Sequence, residues 1–517
     1  MSVDLLKEYI KLNKLMLGTE SQAVFESDII VPDIKPDISE LLLVDADVSV
    51  DSVENFRDKL NVNFTINYKV LYRSKTGDTT VTPINFSAKF STSINVDSLD
   101  SDAGISINCD IEHIDFSLLN DRKISTRSIV KFMVTASAIK EIGLASDITG
   151  NDSIQVEKQN FSISNCVDTV KEKISISELI SIPGIKSSVA ELLRTDTALL
   201  GKSAKIIDGT LVVKGELSIT SVYIAADEGH SIQYMENTLP FALNTEVYVS
   251  ESVNLETSVT LDYFKISVTE DSDGEMRCLA VDGEINVSAS FYENQTVAIL
   301  DDAYALDSDL KISRDMFQTT AFIGDVQNQF VLKEIVKKSE YSPDISEIIN
   351  VSCKCGIPES HIENGRVVLE SYVKCTFLYL SNEEVPVASF NTEIPYKYVF
   401  DKKDIPDNAA LSIKADVEHI NFSLVSNSEV ELRVVVCASA SITMVNDISV
   451  ITKVAETEIS IETLTSRPSV VIYYVRPNDS LWAVAKKYLT TCDIIRAFND
   501  LDEKSILTPG MKLVIPK

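Results

Sequence analysis

The chain has 517 residues, of which 44% are hydrophobic and 24% charged, a composition typical of a folded protein too long for one core. Its net charge of −31 argues against nucleic-acid binding, which requires a basic surface. No apolar run approaches the roughly 18 residues of a transmembrane helix, and the N-terminus lacks the apolar core of a signal peptide, so we expect a protein retained in the cytosol.

Three short motifs recur in the same order and define a repeat of about 150 residues. A unit of this length is too long for a solenoid repeat, so we predict three tandem domains. The motifs are "IKPDISELL" (34–42, with counterparts at 185–193 and 341–349), "CDIEHIDFSLLN" (109–120, counterparts at 260–271 and 415–426) and "FMVTASA" (132–138, counterparts at 285–291 and 434–440).

Each repeat is predicted to be mostly antiparallel β structure, a sandwich or an open barrel. In "NVNFTINYKVLY" (61–72) apolar residues occupy every second position, which is typical of a strand with one buried face. The alternating positions are Val62, Phe64, Ile66, Tyr68, Val70 and Tyr72, then Val213, Gly215, Leu217, Ile219, Ser221 and Tyr223, then Leu369, Ser371, Val373, Cys375, Phe377 and Tyr379.

The "PDISE" motif is interpreted as a turn followed by a short helix. Asp37 and Asp344 each follow a proline and fit a cap or turn role. Glu40 and Glu347, three residues later, are the expected partners in a capping box, and Glu191 takes this place in the middle repeat.

No set of residues indicates catalysis, so we do not expect an enzyme. His113 and His419 occupy matching positions, but the middle repeat has Phe264 there, and no serine or cysteine nucleophile accompanies them. "DTALLGKS" (196–203) lacks the first glycine of a phosphate-binding loop. Eight cysteines without a CxxC pair, and only four histidines, predict neither a disulfide scaffold nor a metal site, and no cofactor is expected.

The segment 470–517 is predicted to be a small βααβ module. "VIYYV" and "MKLVIP" are β-rich, and "SLWAVAKKY" and "TCDIIRAFN" between them have apolar residues at helical spacing. The segment carries seven Lys/Arg against five Asp/Glu, a net +2, which leaves −33 on residues 1–469. A basic module on an acidic body can dock an anionic partner, whereas the alternative is that the acidity only keeps a large assembly protein soluble.

This module resembles a LysM domain. Asn478 stands where the family pattern has glycine. The matching residues are Tyr473, Val475, Asp479, Ser480, Leu481, Val484 and Ala485 in the opening pattern, and Asn499, Leu501, Leu507, Gly510, Leu513, Ile515 and Pro516 in the closing one. The resemblance implies a shallow groove for N-acetylglucosamine polymers. The implied groove residues are Asn478, Asp479, Ser480 and Trp482 in the first loop and its helix, and Asn499, Asp500, Leu501, Ile506 and Leu507 in the second loop.

The only tryptophan of the chain, Trp482, lies between the inward-facing Leu481 and Val484 of the first predicted helix. Its ring is therefore predicted to be at least partly exposed beside the groove, where an exposed indole is often a binding hot spot. The alternative is that the ring only caps the small core.

Three repeats with "PDISE"-type turns and one C-terminal LysM domain resemble the SPOCS-domain proteins of endospore-forming bacteria, of the SipL type. The predicted domains are 1–147, 148–305 and 306–455, a linker at 456–469 and the LysM domain at 470–517. The resemblance implies a spore coat scaffold in the mother-cell cytoplasm, at the forespore surface. Its LysM domain is expected to bind the coat-basement ATPase, stage IV sporulation protein A, alongside other coat proteins. The alternative is a peptidoglycan- or cortex-binding protein, which the absence of a signal peptide disfavours.

Overall fold

The structure, a computed structural model, describes residues 3–75, 81–96, 99, 103–250, 253–383, 387–459, 468–502 and 505–516, without the side chains of 12–17 and 137–139. Strands make up 76% and helices 3%, which confirms a mainly β fold. Residues 460–467 of the predicted linker lie outside the described residues, and the predicted domain bounds stay predictions. None of the helices in the described ranges is long and apolar enough to cross a bilayer.

The first repeat is built from six antiparallel strands, β1 (Asp4–Ile30), β2 (Ile38–Asn55), β3 (Lys59–Ser74), β4 (Val81–Asn95), β5 (Gly104–Asn120) and β6 (Lys123–Thr149). They form a short sheet of order β2-β3-β4 and a long sheet of order β1-β6-β5. The alternating residues of β3 are at most 1% exposed. Phe64 among them packs edge-on against Phe132 of β6, with ring centroids 5.2 Å apart. The two sheets therefore face each other across one core, as a sandwich.

The other two repeats have the same arrangement of two sheets. The second contains β7 (Ile154–Ser181), β8 (Val189–Ile207), β9 (Thr210–Ala225), β10 (Ile232–Glu246), β11 (Asn254–Thr269) and β12 (Cys278–Ala305). The third contains β13 (Ser308–Lys337), β14 (Glu347–Cys355), β15 (Glu359–Glu363), β16 (Arg366–Leu380), β17 (Val387–Val399), β18 (Ala409–Ser426) and β19 (Glu429–Glu458). Their short sheets are centred on β9 and β16, and their long sheets have the orders β7-β12-β11 and β13-β19-β18.

The short helix predicted after the "PDISE" turn is wrong, because the chain passes from a turn directly into a strand. Lys35 N donates to Pro32 O (2.9 Å) to close the turn, and β2 begins at Ile38. Pro36 lacks an amide donor and disfavours helical geometry at the residue before it. The Asp37 carboxylate, predicted as a cap or turn residue, accepts from Arg122 Nη1 at 2.6 Å, so it anchors the turn.

Six long strands reach beyond the sandwiches and pair as three ribbons, β1 with β6, β7 with β12 and β13 with β19. The halves of these ribbons that extend from the sandwiches pack on one another, and we call this bundle the stalk. Its core consists of Ile10, Leu144, Ile163, Val297, Ile299, Ile448 and Val450, which are all nearly inaccessible to solvent.

Away from the stalk, the three short sheets meet in a shared apolar cluster, the axial core. It consists of Leu42, Leu43, Leu71, Val81, Leu193, Val222, Ile224, Ile349, Leu378 and Val387. Polar contacts link each repeat to the next. Lys35 of the first repeat pairs with Glu191 of the second (2.9 Å), and Lys202 of the second pairs with Asp416 of the third (2.8 Å). Ser389 Oγ of the third repeat donates to the carbonyl of Leu42 in the first (2.6 Å). The repeats therefore form a closed ring around an approximate three-fold axis.

A buried charge network lies beside the axial core. Arg194, 6% exposed, donates from Nε to Asp196 and from Nη2 to Asp45, both at 2.6 Å. The equivalent positions in the other repeats hold Leu43 and Asn350, and Asn350 Nδ2 donates to Asp196 at 3.0 Å. Because three equivalent positions carry three different side chains, the network distinguishes the repeats from one another.

Lys69 extends this network to Asp47, because its Nζ lies 2.9 Å from Asp47 and 3.6 Å from Asp196. The network makes the stability of the ring sensitive to acid. Burial would raise the pKa of Asp47, but Lys354 and Lys69 outweigh it and hold the pKa well below its ordinary value of 3.8. Burial likewise opposes the ionisation of Asp196, and Arg194 and Lys69 keep its pKa low. The unfolded chain therefore binds more protons than the folded chain in acid. We expect the free energy of unfolding, measured by urea titration, to be steady near neutrality and to fall as the pH drops below about 5.

The matched control is the double variant Asp47→Asn, Asp196→Asn. Because neither amide titrates, its free energy of unfolding should change less steeply between about pH 5 and pH 3 than that of the natural chain. If the free energy of unfolding changed equally steeply with pH in the two proteins, Asp47 and Asp196 would not be the groups responsible for the acid sensitivity.

Candidate functional site

The C-terminal module has the predicted βααβ order. Its elements are β20 (Val470–Tyr474), α1 (Leu481–Tyr488), α2 (Cys492–Phe498) and β21 (Lys512–Pro516), and β20 pairs antiparallel with β21. Ser480 caps α1 by accepting from Ala483 N at 3.0 Å, and Thr491 caps α2 by accepting from Ile494 N at 3.1 Å. These caps satisfy amides at the helix N-termini that have no partner within the helix.

The first predicted groove loop is held in place by its own polar side chains. Asn478 has a φ of 68°, in the left-handed region that glycine adopts freely and that asparagine tolerates better than most residues. The Asp479 carboxylate accepts from Tyr473 OH at 2.6 Å and from Arg476 N at 2.8 Å. These two bonds lower the pKa of Asp479. The loop therefore keeps its shape with asparagine in place of glycine.

In the second loop, the side chain of Asn499 is used for internal bonding. Its Nδ2 donates to Ile495 O (2.8 Å) and Val514 O (2.7 Å), and its Oδ1 accepts from Val514 N (2.7 Å). This bonding ties the end of α2 to β21. Across both loops, the exposed members of the predicted groove are Asn478, Ser480, Asp500 and Ile506, and the half-buried members are Asp479, Trp482, Asn499, Leu501 and Leu507.

The indole of Trp482 contacts the end of β12, in the second repeat. Its Nε1 donates to Asp302 Oδ2 at 2.8 Å, and its ring packs edge-on against Tyr304, with centroids 4.8 Å apart. Lys486 Nζ donates to both oxygens of Asp302 at 2.7 Å, and Tyr304 OH donates to Thr490 O at 2.7 Å. We call this set the docking contact, because it joins the module to the tip of the stalk.

The charge of the docking contact is balanced. Burial would raise the pKa of Asp302, but the bonds from Lys486 and Trp482 outweigh it and keep the pKa below its ordinary value. Burial also raises the pKa of Tyr304, so its hydroxyl stays a donor. Sequence reasoning missed Asp302 and Tyr304 because they lie about 180 residues from Trp482 and belong to no motif of the module.

The module also exposes large apolar side chains. Phe498, at the end of α2, is 60% exposed, and Ile506, in the second loop, is 83% exposed. Tyr474, on the outer face of β20, is 62% exposed. Among the residues that the structure describes, no group of three or more His, Cys, Asp or Glu side chains is arranged to hold a metal ion.

Two protein families match parts of the three repeats and the C-terminal module. The family described as SipL, SPOCS domain, matches residues 37–119, 188–269 and 344–425, and the LysM domain family matches 473–516. Both are families of non-catalytic domains. No curated protein and no solved structure matches the chain. Each SPOCS match covers the short sheet of one repeat and continues into the long sheet. The chain is thus a protein of the SipL type, with three SPOCS domains followed by a LysM domain.

Proposed function

We propose that the protein is a non-enzymatic scaffold of spore coat assembly, which binds the coat-basement ATPase, stage IV sporulation protein A, through its LysM domain. It acts in the mother-cell cytoplasm, at the forespore surface, together with other coat proteins. The family membership supports the connection to sporulation. The repeats supply a rigid body, and the LysM domain supplies the surface that binds the ATPase.

The choice of a protein partner depends on the chemistry of the groove. A glycan is recognised through hydrogen bonds to its hydroxyl and acetamido groups, but the side chains of Asp479 and Asn499 are already bonded within the module. Phe498 and Ile506 of the same module expose apolar surface, which is typical of a protein contact. The internally bonded polar side chains and the exposed apolar side chains together support a protein partner.

The second candidate is a peptidoglycan- or cortex-binding protein. The observation in its favour is that the first groove loop takes the left-handed conformation at Asn478, where the LysM pattern has glycine. The backbone of the loop is therefore compatible with a glycan groove, even though Asp479 and Ser480 are bonded within the module.

A binding experiment separates the two candidates. The full chain is tested against purified ATPase on a biosensor and against purified peptidoglycan by co-sedimentation. We expect binding to the ATPase, and we expect Ile506→Asp and Phe498→Ser each to weaken it at least about tenfold. Circular dichroism would check the fold of each variant.

The control is Tyr474→Ser, which removes a similarly exposed aromatic ring from the outer face of β20 and should leave ATPase binding unchanged. Retention on peptidoglycan without ATPase binding would overturn the proposal and favour the glycan-binding candidate.

A further inference from the structure

Each repeat presents one large apolar side chain to solvent at the same position of its sequence. Ile34 is 92% exposed, Ile185 95% and Tyr341 98%. They are the first residues of the equivalent motifs "IKPDISELL", "IKSSVAELL" and "YSPDISEII". A single exposed apolar residue needs no explanation, but one at the same position of three diverged repeats indicates a shared contact.

These residues lie in three turns at the end of the molecule that is opposite the stalk. We call residues 31–37, 182–188 and 338–344 the apex turns, and each of them follows the outer end of a long strand. Because the repeats form a ring around an approximate three-fold axis, the three apex turns lie near one plane perpendicular to that axis. The LysM domain docks at the other end of the long ribbons, on the end of β12 that pairs with the start of β7.

Several carbonyl groups of the apex turns are bonded internally. One cationic side chain donates to carbonyl groups in each turn. In the first turn, Arg122 donates to the carbonyls of Val31, Pro32 and Lys35. In the second, Arg277 donates to those of Ile182, Pro183 and Lys186, and in the third, Lys338 donates to that of Ser342. Buried tyrosines at equivalent positions donate to further carbonyls in two of the turns, Tyr72 to Pro36 (2.7 Å) and Tyr379 to Pro343 (3.0 Å). The equivalent Tyr223 donates to Gln233 Oε1 at 3.1 Å instead. Such turns can approach an apolar medium without leaving these carbonyl groups unpaired, which is the main cost of placing irregular backbone there.

A lipid surface fits three separate apolar side chains better than a protein does. Ile34 stands between Asp33 and Lys35, and Tyr341 between Glu340 and Ser342, so neither is part of a continuous apolar patch along the chain. A standard protein interface buries about 800 Å² of continuous surface on each partner, whereas a bilayer accepts separate side chains that share a plane. We propose that the apex turns are a three-point membrane contact, in which Ile34, Ile185 and Tyr341 enter the interface of a bilayer together.

The charges near these residues select the type of lipid. Asp33 and Glu340 are exposed carboxylates directly before two of the three side chains, and the whole chain carries −31. Lys35 is paired with Glu191 at 2.9 Å, and Lys186 donates to the carbonyl of Tyr234. The preferred surface is therefore zwitterionic, because a bilayer rich in anionic lipid repels these carboxylates.

Vesicle flotation with the full chain tests this contact. We expect the protein to float with phosphatidylcholine vesicles, and to float less when about one third of the lipid is phosphatidylglycerol. The triple variant Ile34→Ser, Ile185→Ser, Tyr341→Ser should lose at least about tenfold in vesicle partition, and each single variant about two- to threefold, because the three contacts act together. Ile185→Trp should give an indole emission that shifts to shorter wavelength when vesicles are added.

The matched control is Tyr248→Ser, since Tyr248 is 93% exposed but lies at the opposite end of the short sheet of its repeat. It should float like the natural chain. The triple variant should still bind the ATPase, which separates this contact from the LysM surface.

Three results would each overturn the membrane contact. They are a natural chain that does not float with phosphatidylcholine, a triple variant that floats equally well, and binding that needs anionic lipid and disappears with salt. The first of these would assign the apex turns to a protein partner instead.

Discussion

Replacing Trp482 with alanine should release the LysM domain from the stalk and weaken ATPase binding, while the domain stays folded. The substitution removes a hydrogen bond to the Asp302 carboxylate, about 1.5–3 kcal/mol, and an edge-to-face contact with Tyr304, about 0.5–1.5 kcal/mol. We therefore expect the docking contact to lose about 2–4.5 kcal/mol. Hydrogen exchange at the end of β12 and around Thr490 should rise, and pull-down of the ATPase should be lost, as expected for a binding hot spot.

The double variant Asp302→Asn, Tyr304→Ala separates the two effects, because it changes the stalk and leaves the indole in place. Hydrogen exchange should rise in the same segments, and the ATPase should still be captured. Loss of capture in both variants would show that the ATPase recognises the docked arrangement. Unchanged capture with Trp482→Ala would remove the indole from the partner surface.

Replacing Arg194 with leucine should lower the free energy of unfolding of the ring by about 3–5 kcal/mol, measured by urea titration. The guanidinium is paired with Asp45 and Asp196, and leucine would leave both carboxylates without this cation. Size is not the cause, since Leu43 occupies the equivalent position of the first repeat.

A surface ion pair supplies the control for Arg194→Leu. The side chain of Arg433 is 53% exposed and pairs with Glu431 at 2.7 Å, and Arg433→Leu should cost less than about 1 kcal/mol. Adding Asp196→Asn to Arg194→Leu should restore part of the loss, because it removes one of the two carboxylates that have lost their arginine partner. Equal losses for the two arginine variants would contradict a role for buried charge.

The parts of the fold that were predictable depend on short-range patterns. Alternation along β3 predicted a strand with one buried face, and Val62 to Tyr72 are buried at every second position. The LysM domain was recognisable because its motif residues set its caps and core, as Ser480 and Leu513 illustrate. The family comparison confirms the same three repeats, and its matches reach the second motif of each repeat but not the third.

The remaining features depend on contacts between distant residues. Alternation shows which face of a strand is buried but not what covers it, so Ile10 and Ile163 gave no sign that they meet in a stalk. The same limit applies to Trp482, whose ring was predicted beside the groove but has a hydrogen-bond partner, Asp302, in the second repeat. The helix expected after "PDISE" failed for the same reason, because Arg122, 85 residues from Asp37, and the carbonyl of Asp121 hold Asp37 and Ile38 in a turn and a strand.

The six long strands also determine the length of the molecule from the apex turns to the tip of the stalk. At about 3.3 Å per residue, strands of 27 to 30 residues extend over roughly 90 Å. They run without interruption from the apex turns to the tip of the stalk, where the LysM domain is attached. The long strands therefore fix the distance between the apex turns and the docked LysM domain, the two ends of the molecule for which we propose binding.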